Sequence, residues 1–110
     1  HTRAWHPDST ELFRYSALTL NGHRIHYDAD YCREVEGYAG LVVHGPLIAT
    51  RLAGLAQDLL GRPLRHFSYR GLRPTTVGQP VQLAACAQGE GLQLWSALED
   101  GGMTMQAQAS

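Results

Sequence analysis

The segment from Leu41 to Gly61, LVVHGPLIATRLAGLAQDLLG, constrains the fold more than any other part of the chain. Pro46 suits the first turn of a helix, where its missing N–H leaves nothing unsatisfied, and Gly61 suits a left-handed cap at the end. The apolar side chains between them form a stripe broader than a surface helix needs. They are Leu47, Ile48, Leu52, Leu55, Ala56, Leu59 and Leu60. At about 1.5 Å per residue the helix is roughly 22 Å long, and we expect it to be the central core element.

After Gly61 the chain changes to short segments with strand-like alternation, separated by glycine- and proline-containing turns. The predicted strands cover residues 64–72, 81–87, 92–99 and 103–110. The connections between them are short, and the Asp100-Gly101-Gly102 sequence is typical of a hairpin. The pattern therefore predicts an antiparallel meander of four strands.

The residues before the helix predict three further segments. Residues 1–10 read as an irregular arm, and residues 11–18 as a strand in which Phe13, Tyr15 and Ala17 share one face. Residues 30–36 predict a short helix that ends near Gly37.

These elements predict an α+β fold in one domain spanning residues 1–110. A curved antiparallel sheet of about five strands would wrap around the long helix, because so broad an apolar stripe needs cover on most of its circumference. A flat sheet with the helix on one face is the alternative.

Composition excludes several kinds of partner. The formal net charge of the 110 residues is -1, so nothing favours binding to nucleic acid. No apolar run approaches the roughly 20 residues of a membrane span, and no signal-peptide pattern is present. Cys32 and Cys86 lack metal-type spacing and are expected to be free thiols in a reducing cytoplasm.

Titratable side chains are concentrated in residues 21–28, NGHRIHYD. His26 has an ordinary pKa near 6.5, which allows it to act as acid or base at neutral pH. His23, His26 and His44 are conceivable zinc ligands, but without a Cys pair or HExxH spacing we expect no metal site.

The segment NGHRIHYDADYCREVEGYAGLVVHGPL resembles the active-site region of MaoC-like dehydratases and (R)-specific enoyl-CoA hydratases. The family pattern is Asp, four residues, His, one residue, Asp, followed later by an (A/V)-H-G-(M/P)-L motif. Here His26, Asp28 and the run from Val43 to Leu47 match it. The resemblance implies the hot-dog fold and points, within the family, to the branch of 3-methylfumaryl-CoA (mesaconyl-CoA) and itaconyl-CoA hydratases.

One position departs from the family pattern. The family Asp that partners the catalytic His aligns with Asn21, and an amide can orient water but cannot take up a proton. The mesaconyl-CoA branch also resembles this chain in carrying Asn there.

The resemblance implies a hydro-lyase that hydrates or dehydrates an enoyl-CoA-type thioester, with the CoA thioester as substrate and no separate cofactor. In this interpretation His26 is the acid/base, Asn21 holds the water, and the Gly45 N–H stabilises charge on the thioester oxygen. Arg24, Asp28 and His44 are the candidate substrate-binding residues.

Each of those three residues also has a structural interpretation. Arg24 is either a solvated loop residue or a partner for a substrate carboxylate or CoA phosphate. Asp28 either orients His26 or caps the short helix. His44 either contacts substrate or shapes the start of the long helix.

Other functions in the same fold stay open. A thioesterase would want a carboxylate on the long helix, where Asp58 lies at the wrong end. A non-catalytic hot-dog subunit that shapes an acyl-CoA pocket is the other alternative. Since hot-dog domains of this resemblance pair around the substrate, we expect a homodimer or pairing with a second hot-dog domain.

Overall fold

The computed structural model describes residues 1–110, which form a five-stranded antiparallel sheet around one long helix. The strands are β1 (Thr2–Trp5), β2 (Phe67–Gly71), β3 (Val81–Gln88), β4 (Gly91–Leu98) and β5 (Met103–Ala109). The helices are α1 (Ser9–Thr19), α2 (Ala29–Tyr31) and α3 (Gly45–Leu60). A 3-10 turn covers Arg24–His26, and a π-helical turn over Cys32–Glu36 continues α2.

The predicted central helix is confirmed as α3. Pro46 lies in its first turn, and Gly61 ends it with a left-handed φ of 69°. The inward stripe of α3 packs against strands β2 to β5, so the sheet curves around the helix as predicted. The core comprises 16 buried residues, of which Leu12, Leu52, Ala56 and Leu94 are fully enclosed.

The sheet order is β1-β3-β4-β5-β2, which corrects the predicted four-stranded meander. Only β3, β4 and β5 follow one another as hairpins, and β2 pairs with β5 on the far side of the sheet. The β2–β3 connection cannot reverse locally because it pairs with the segment before α3. Val43 N–H donates to Thr75 O and Val77 N–H donates to Leu41 O, both at 2.8 Å.

Two predictions for the N-terminal residues were also wrong. Residues 2–5 of the expected irregular arm form edge strand β1, in which Trp5 is buried opposite Val81. The expected strand over residues 11–18 is instead α1. Its N-cap is Asp8, whose side chain accepts a hydrogen bond from Glu11 N–H at 2.8 Å. The sequence Asp8-Ser9-Thr10-Glu11 carries this capping signal.

Between α1 and α3 the chain is a series of short turns. The predicted helix over residues 30–36 is confirmed as α2 with its π-helical extension. No helix has the length and apolarity needed to cross a bilayer. These turns bring the titratable segment against the start of α3, where the candidate site lies.

Candidate active site

His26 lies in the 3-10 turn that follows α1, with its ring almost enclosed. The side chain is 7% exposed, and Nδ1 lies 2.7 Å from Val42 O. Because a carbonyl oxygen only accepts, the ring hydrogen of neutral His26 is on Nδ1, and Nε2 keeps its lone pair. Nε2 has no protein partner and is not sealed from solvent, so it is available as a base.

Burial also sets the charge state of His26. Loss of solvation lowers the pKa of this imidazole, and the neighbouring His23 lowers it further, against the opposing effect of the Val42 bond. The ring is therefore neutral at physiological pH and able to accept a proton.

His44 is the N-cap residue of α3, and its ring stacks on that of His26. The ring centroids are 3.6 Å apart with planes inclined by 15°. His44 Nε2 lies 2.8 Å from Ser16 Oγ, and Tyr15 packs its ring edge-on at 4.7 Å. His44 is 2% exposed within this chain, and its assignment as a substrate-binding residue stays a prediction.

Both rings of the stack are neutral at neutral pH. Burial lowers the pKa of His44 to about 4, with a further contribution from the neighbouring His26. His44 Nδ1 is buried without a hydrogen-bond partner, so protonation would add an unsolvated charge there. His44 thus supports the His26 ring as a neutral, rigid surface.

The start of α3 offers one free donor. Leu47 N–H and Ile48 N–H both donate to His44 O, at 3.1 and 3.2 Å, and Pro46 has no N–H. Gly45 N–H makes no hydrogen bond, and a Cβ built on Gly45 would meet no atom within 4 Å. Of the N–H groups of Gly45, Leu47 and Ile48, only that of Gly45 is therefore available to an oxyanion.

Asn21 lies just beyond the end of α1 and is exposed. Its Oδ1 accepts a hydrogen bond from His23 N–H at 3.1 Å, and the His23 ring centroid is 6.0 Å from that of His26. The amide nitrogen of Asn21 has no protein partner, so it remains free to hold water or a hydroxyl group.

Arg24 and Asp28 are occupied with each other. Arg24 Nη2 lies 2.8 Å from Asp28 Oδ2, and the guanidinium packs over the Tyr31 ring. Asp28 Oδ1 accepts from Tyr31 N–H at 3.0 Å, which is the capping role. Donation from Tyr31 N–H and from Arg24 lowers the pKa of Asp28. Asp28 makes no hydrogen bond to His26, whose Nδ1 bonds to Val42 O instead.

Three residues of the site were not predicted. Ser16 and Tyr15 lie on α1, and misassigning that segment as a strand hid their relation to His44. Val42 contributes only its carbonyl oxygen, for which a sequence carries no signal. No group of three or more His, Cys, Asp or Glu side chains is arranged to hold a metal ion.

Solved structures define the class of fold. An (R)-hydratase from A. caviae involved in PHA biosynthesis matches with a TM-score of 0.84 and 19% identity, over 99% of this chain and 89% of that one. A MaoC-like dehydratase matches with a TM-score of 0.86 and 15% identity, over 99% of this chain and 37% of that one. The chain therefore has the hot-dog fold that the resemblance implied.

Sequence comparison then gives the family. Residues 1–77 match the hydroxyacyl-thioester dehydratase type 2 family, and the chain belongs to it. Mesaconyl-C(4)-CoA hydratase of Chloroflexus aurantiacus is 45% identical over 106 residues, which are 96% of this chain and 38% of that protein. The mitochondrial hydroxyacyl-thioester dehydratase type 2 of Schizosaccharomyces pombe is 33% identical over 98 residues, 86% of this chain and 32% of that protein. The chain thus spans less than two fifths of either relative.

Proposed function

We propose that this chain carries the catalytic residues of a hydro-lyase that reversibly hydrates an enoyl thioester, with a CoA thioester of the mesaconyl type as the first candidate. The observation that carries the proposal is the state of His26. Its ring is neutral, nearly enclosed and fixed through Nδ1, and it presents Nε2 as a free base. The relatives named as a hydratase and a dehydratase support the same chemistry.

In the hydration direction His26 Nε2 takes a proton from water as the hydroxyl oxygen bonds to the β-carbon. The electrons of the double bond move toward the thioester carbonyl, and Gly45 N–H donates to the developing oxyanion. Protonated His26 then gives this proton to the α-carbon, which completes the addition of one water molecule and returns His26 to its neutral state. Asn21 orients the water through its free amide nitrogen. Dehydration is the same sequence reversed.

The thioester is the substrate, and the reaction needs no separate cofactor or metal. The free Cys32 and Cys86 suit a reducing compartment, and we place the activity in the cytoplasm. The substrate site is completed by a second hot-dog domain, in a homodimer, a partner chain or a longer polypeptide.

A thioester assay tests the proposal against its alternatives. Purified protein is mixed with crotonyl-CoA or mesaconyl-CoA, and enoyl absorbance and free thiol are followed together. Loss of absorbance without free thiol is the expected result. Release of thiol would instead indicate a thioesterase, although Asp58, the carboxylate of α3, pairs with Arg3 at 2.9 Å far from the helix start. No turnover in the complete assembly would indicate a non-catalytic subunit.

A further inference from the structure

The hydrogen bond between Ser16 and His44 is the one polar contact made by an almost completely buried ring. Ser16 Oγ lies 2.8 Å from His44 Nε2, and His44 is 2% exposed. The other ring nitrogen, Nδ1, is buried without a hydrogen-bond partner. Because buried polar groups are oriented by their hydrogen bonds, a ring with a single partner depends on that partner for its orientation.

The unpartnered Nδ1 also sets the direction of this hydrogen bond. If Ser16 donated its hydroxyl hydrogen, the ring hydrogen of neutral His44 would be on Nδ1, where no acceptor is present. A buried N–H without an acceptor is rarer in proteins than a buried acceptor without a donor. His44 therefore carries its hydrogen on Nε2 and donates it to Ser16 Oγ.

His44 in turn covers one face of the candidate base. Its ring centroid lies 3.6 Å from that of His26 with planes inclined by 15°, and His26 Nδ1 lies 2.7 Å from Val42 O. Val42 thus fixes one edge of the His26 ring, and His44 fixes its plane. A His44 ring that lost Ser16 would be free to turn, and the position of His26 Nε2 would become less well defined.

The same contact affects the solvation of His26. Desolvation is the largest cause of the lowered pKa of His26, and the stacked His44 ring supplies part of the cover. Two other titratable groups face these rings. His23 lies 6.0 Å from His26, and Tyr15 packs edge-on against His44 at 4.7 Å. Displacement of His44 would admit water to the covered face of His26, so the pKa of His26 would rise toward its ordinary value.

We propose that Ser16 is a positioning residue for the hydration reaction. Through its hydrogen bond to His44 Nε2, it keeps the His44 ring stacked on His26, and the stack holds His26 Nε2 toward the reacting water. Ser16 acts through His44 and not by contact with the substrate. This inference rests on the proposed hydratase function and adds a residue of α1 to those that the reaction requires.

Substitutions of two α1 hydroxyl groups test this role in the assembled protein. Ser16→Ala removes the hydroxyl group. Ser16→Thr keeps it, and the half-buried position beside an open surface depression has room for the added methyl group. Thr19→Ala is the matched control, because the Thr19 hydroxyl bonds only to Tyr15 O within α1.

The first measurement is kcat and KM for hydration of crotonyl-CoA or mesaconyl-CoA. We expect Ser16→Ala to lower kcat roughly tenfold to a hundredfold with little change in KM, because the base is misplaced while the thioester still binds. Ser16→Thr and Thr19→Ala should stay near the wild-type values. Failure of Ser16→Thr to restore the rate lost in Ser16→Ala would count against a role for the hydroxyl group.

The pH profile separates positioning from a purely structural role. Since His26 must be neutral to accept a proton, kcat/KM falls at low pH, and in wild type this fall should lie below the ordinary His pKa of 6.5. In Ser16→Ala the fall should move up toward pH 6.5. A lower Tm with wild-type kcat and an unmoved pH profile would overturn the inference.

Folding and the proposed function are checked separately. If Ser16→Ala does not fold, Ser16→Cys carries the same test, because a thiol fills the position but forms only weak hydrogen bonds. NMR titration of His26 in wild type and variant needs no turnover. If folded, assembled wild type hydrates neither thioester, the proposed function fails. The titration still decides whether Ser16 acts on His26, and an unchanged His26 pKa in the variant would overturn that role.

Discussion

At the scale of single residues, His26 offers the most direct test of the chemistry. Removing a positioned acid/base group costs about 10²–10⁴-fold, so His26→Ala should lower kcat/KM for enoyl-CoA hydration by at least about 10²-fold. The variant should stay folded, which circular dichroism checks. The control is His23→Asn, a substitution close to His26. The Asn side chain can replace His23 Nδ1 as the acceptor for Ile25 N–H. Wild-type turnover by folded His26→Ala would remove His26 from the mechanism.

Asn21 tests how the family Asp has been replaced. Asn21→Asp keeps the oxygen that accepts from His23 N–H and adds a group able to take up a proton, so partial activity is expected. Asn21→Ala loses both the turn and the amide, and its rate should fall nearly as far as that of His26→Ala. Steady-state kinetics on the two variants decide the matter. Equal, wild-type rates for both would reduce Asn21 to a turn former.

Gly45 tests the proposed oxyanion donor. A methyl group here meets no atom within 4 Å outside its chain neighbours and the adjacent helix backbone, so Gly45→Ala should leave Tm within a few degrees of wild type. The same methyl group would crowd a thioester approaching the Gly45 N–H, and loss of one such donor costs about 2.7–4 kcal/mol, or roughly 10²–10³ in kcat. Melting curves and kinetics on one preparation compare the two effects. A large fall in Tm with normal turnover per folded molecule would assign Gly45 a structural role.

At the scale of secondary structure elements, the Ser16–His44 contact joins α1 to the start of α3 and makes that junction sensitive to pH. The folded pKa of His44 is about 4 and an unfolded His titrates near 6.5, so between these values the unfolded chain binds more protons. Stability therefore reaches its full value above about pH 6.5 and is lost as pH falls toward 4, by about 3 kcal/mol for this group. Urea unfolding at pH 7 and pH 4.5 measures the change.

The matched variant for that experiment is His44→Phe, which keeps an aromatic ring for stacking and removes the titrating group. His26, whose pKa is also lowered, contributes in the same direction in both proteins. The difference in pH dependence between wild type and His44→Phe therefore isolates His44. Identical pH dependence in the two proteins would show that His44 is already charged or solvated in the fold.

The elements also show what could be predicted from sequence. Strong local signals lie on α3, where Pro46, Gly61 and a broad apolar stripe agree, and that helix was predicted to within one residue of its start. In α1 only Leu12 is buried, so exposed Phe13 and Leu18 produced an apparent strand alternation. Strand β1 exposes most of its residues and exists because it pairs with β3, which is a long-range contact.

The residues of the candidate site also differ in whether the sequence could predict them. Asn21, His26 and Gly45 lie in motifs that are local in sequence, and they were predicted. The Ser16–His44 hydrogen bond joins residues 28 positions apart and depends on how two helices pack. No local pattern predicts such a contact, nor the stacking of His44 on His26.

At the scale of the whole molecule, the open question is what pairs with this sheet. Strands β1 and β2 lie at its two edges, and each has only one neighbour. Unpaired edges favour association with another strand. The relatives are longer than this chain, which covers 38% of the Chloroflexus aurantiacus hydratase, so a second half from the same polypeptide is one source of a partner.

The isolated chain should therefore self-associate when no other partner is supplied. Pairing through a sheet edge with a two-fold axis would bury on the order of 1,200–2,000 Å², enough for a stable complex. Sedimentation equilibrium at micromolar concentration should give twice the 12.1 kDa chain mass.

Two proline substitutions identify which sheet edge is paired. Tyr69→Pro blocks pairing at the edge formed by β2, and Ala4→Pro blocks pairing at the edge formed by β1. The variant that becomes monomeric identifies the paired edge. Dissociation should abolish hydration if the second half completes the substrate site. A monomer that still hydrates an enoyl-CoA would show that one hot-dog domain is sufficient.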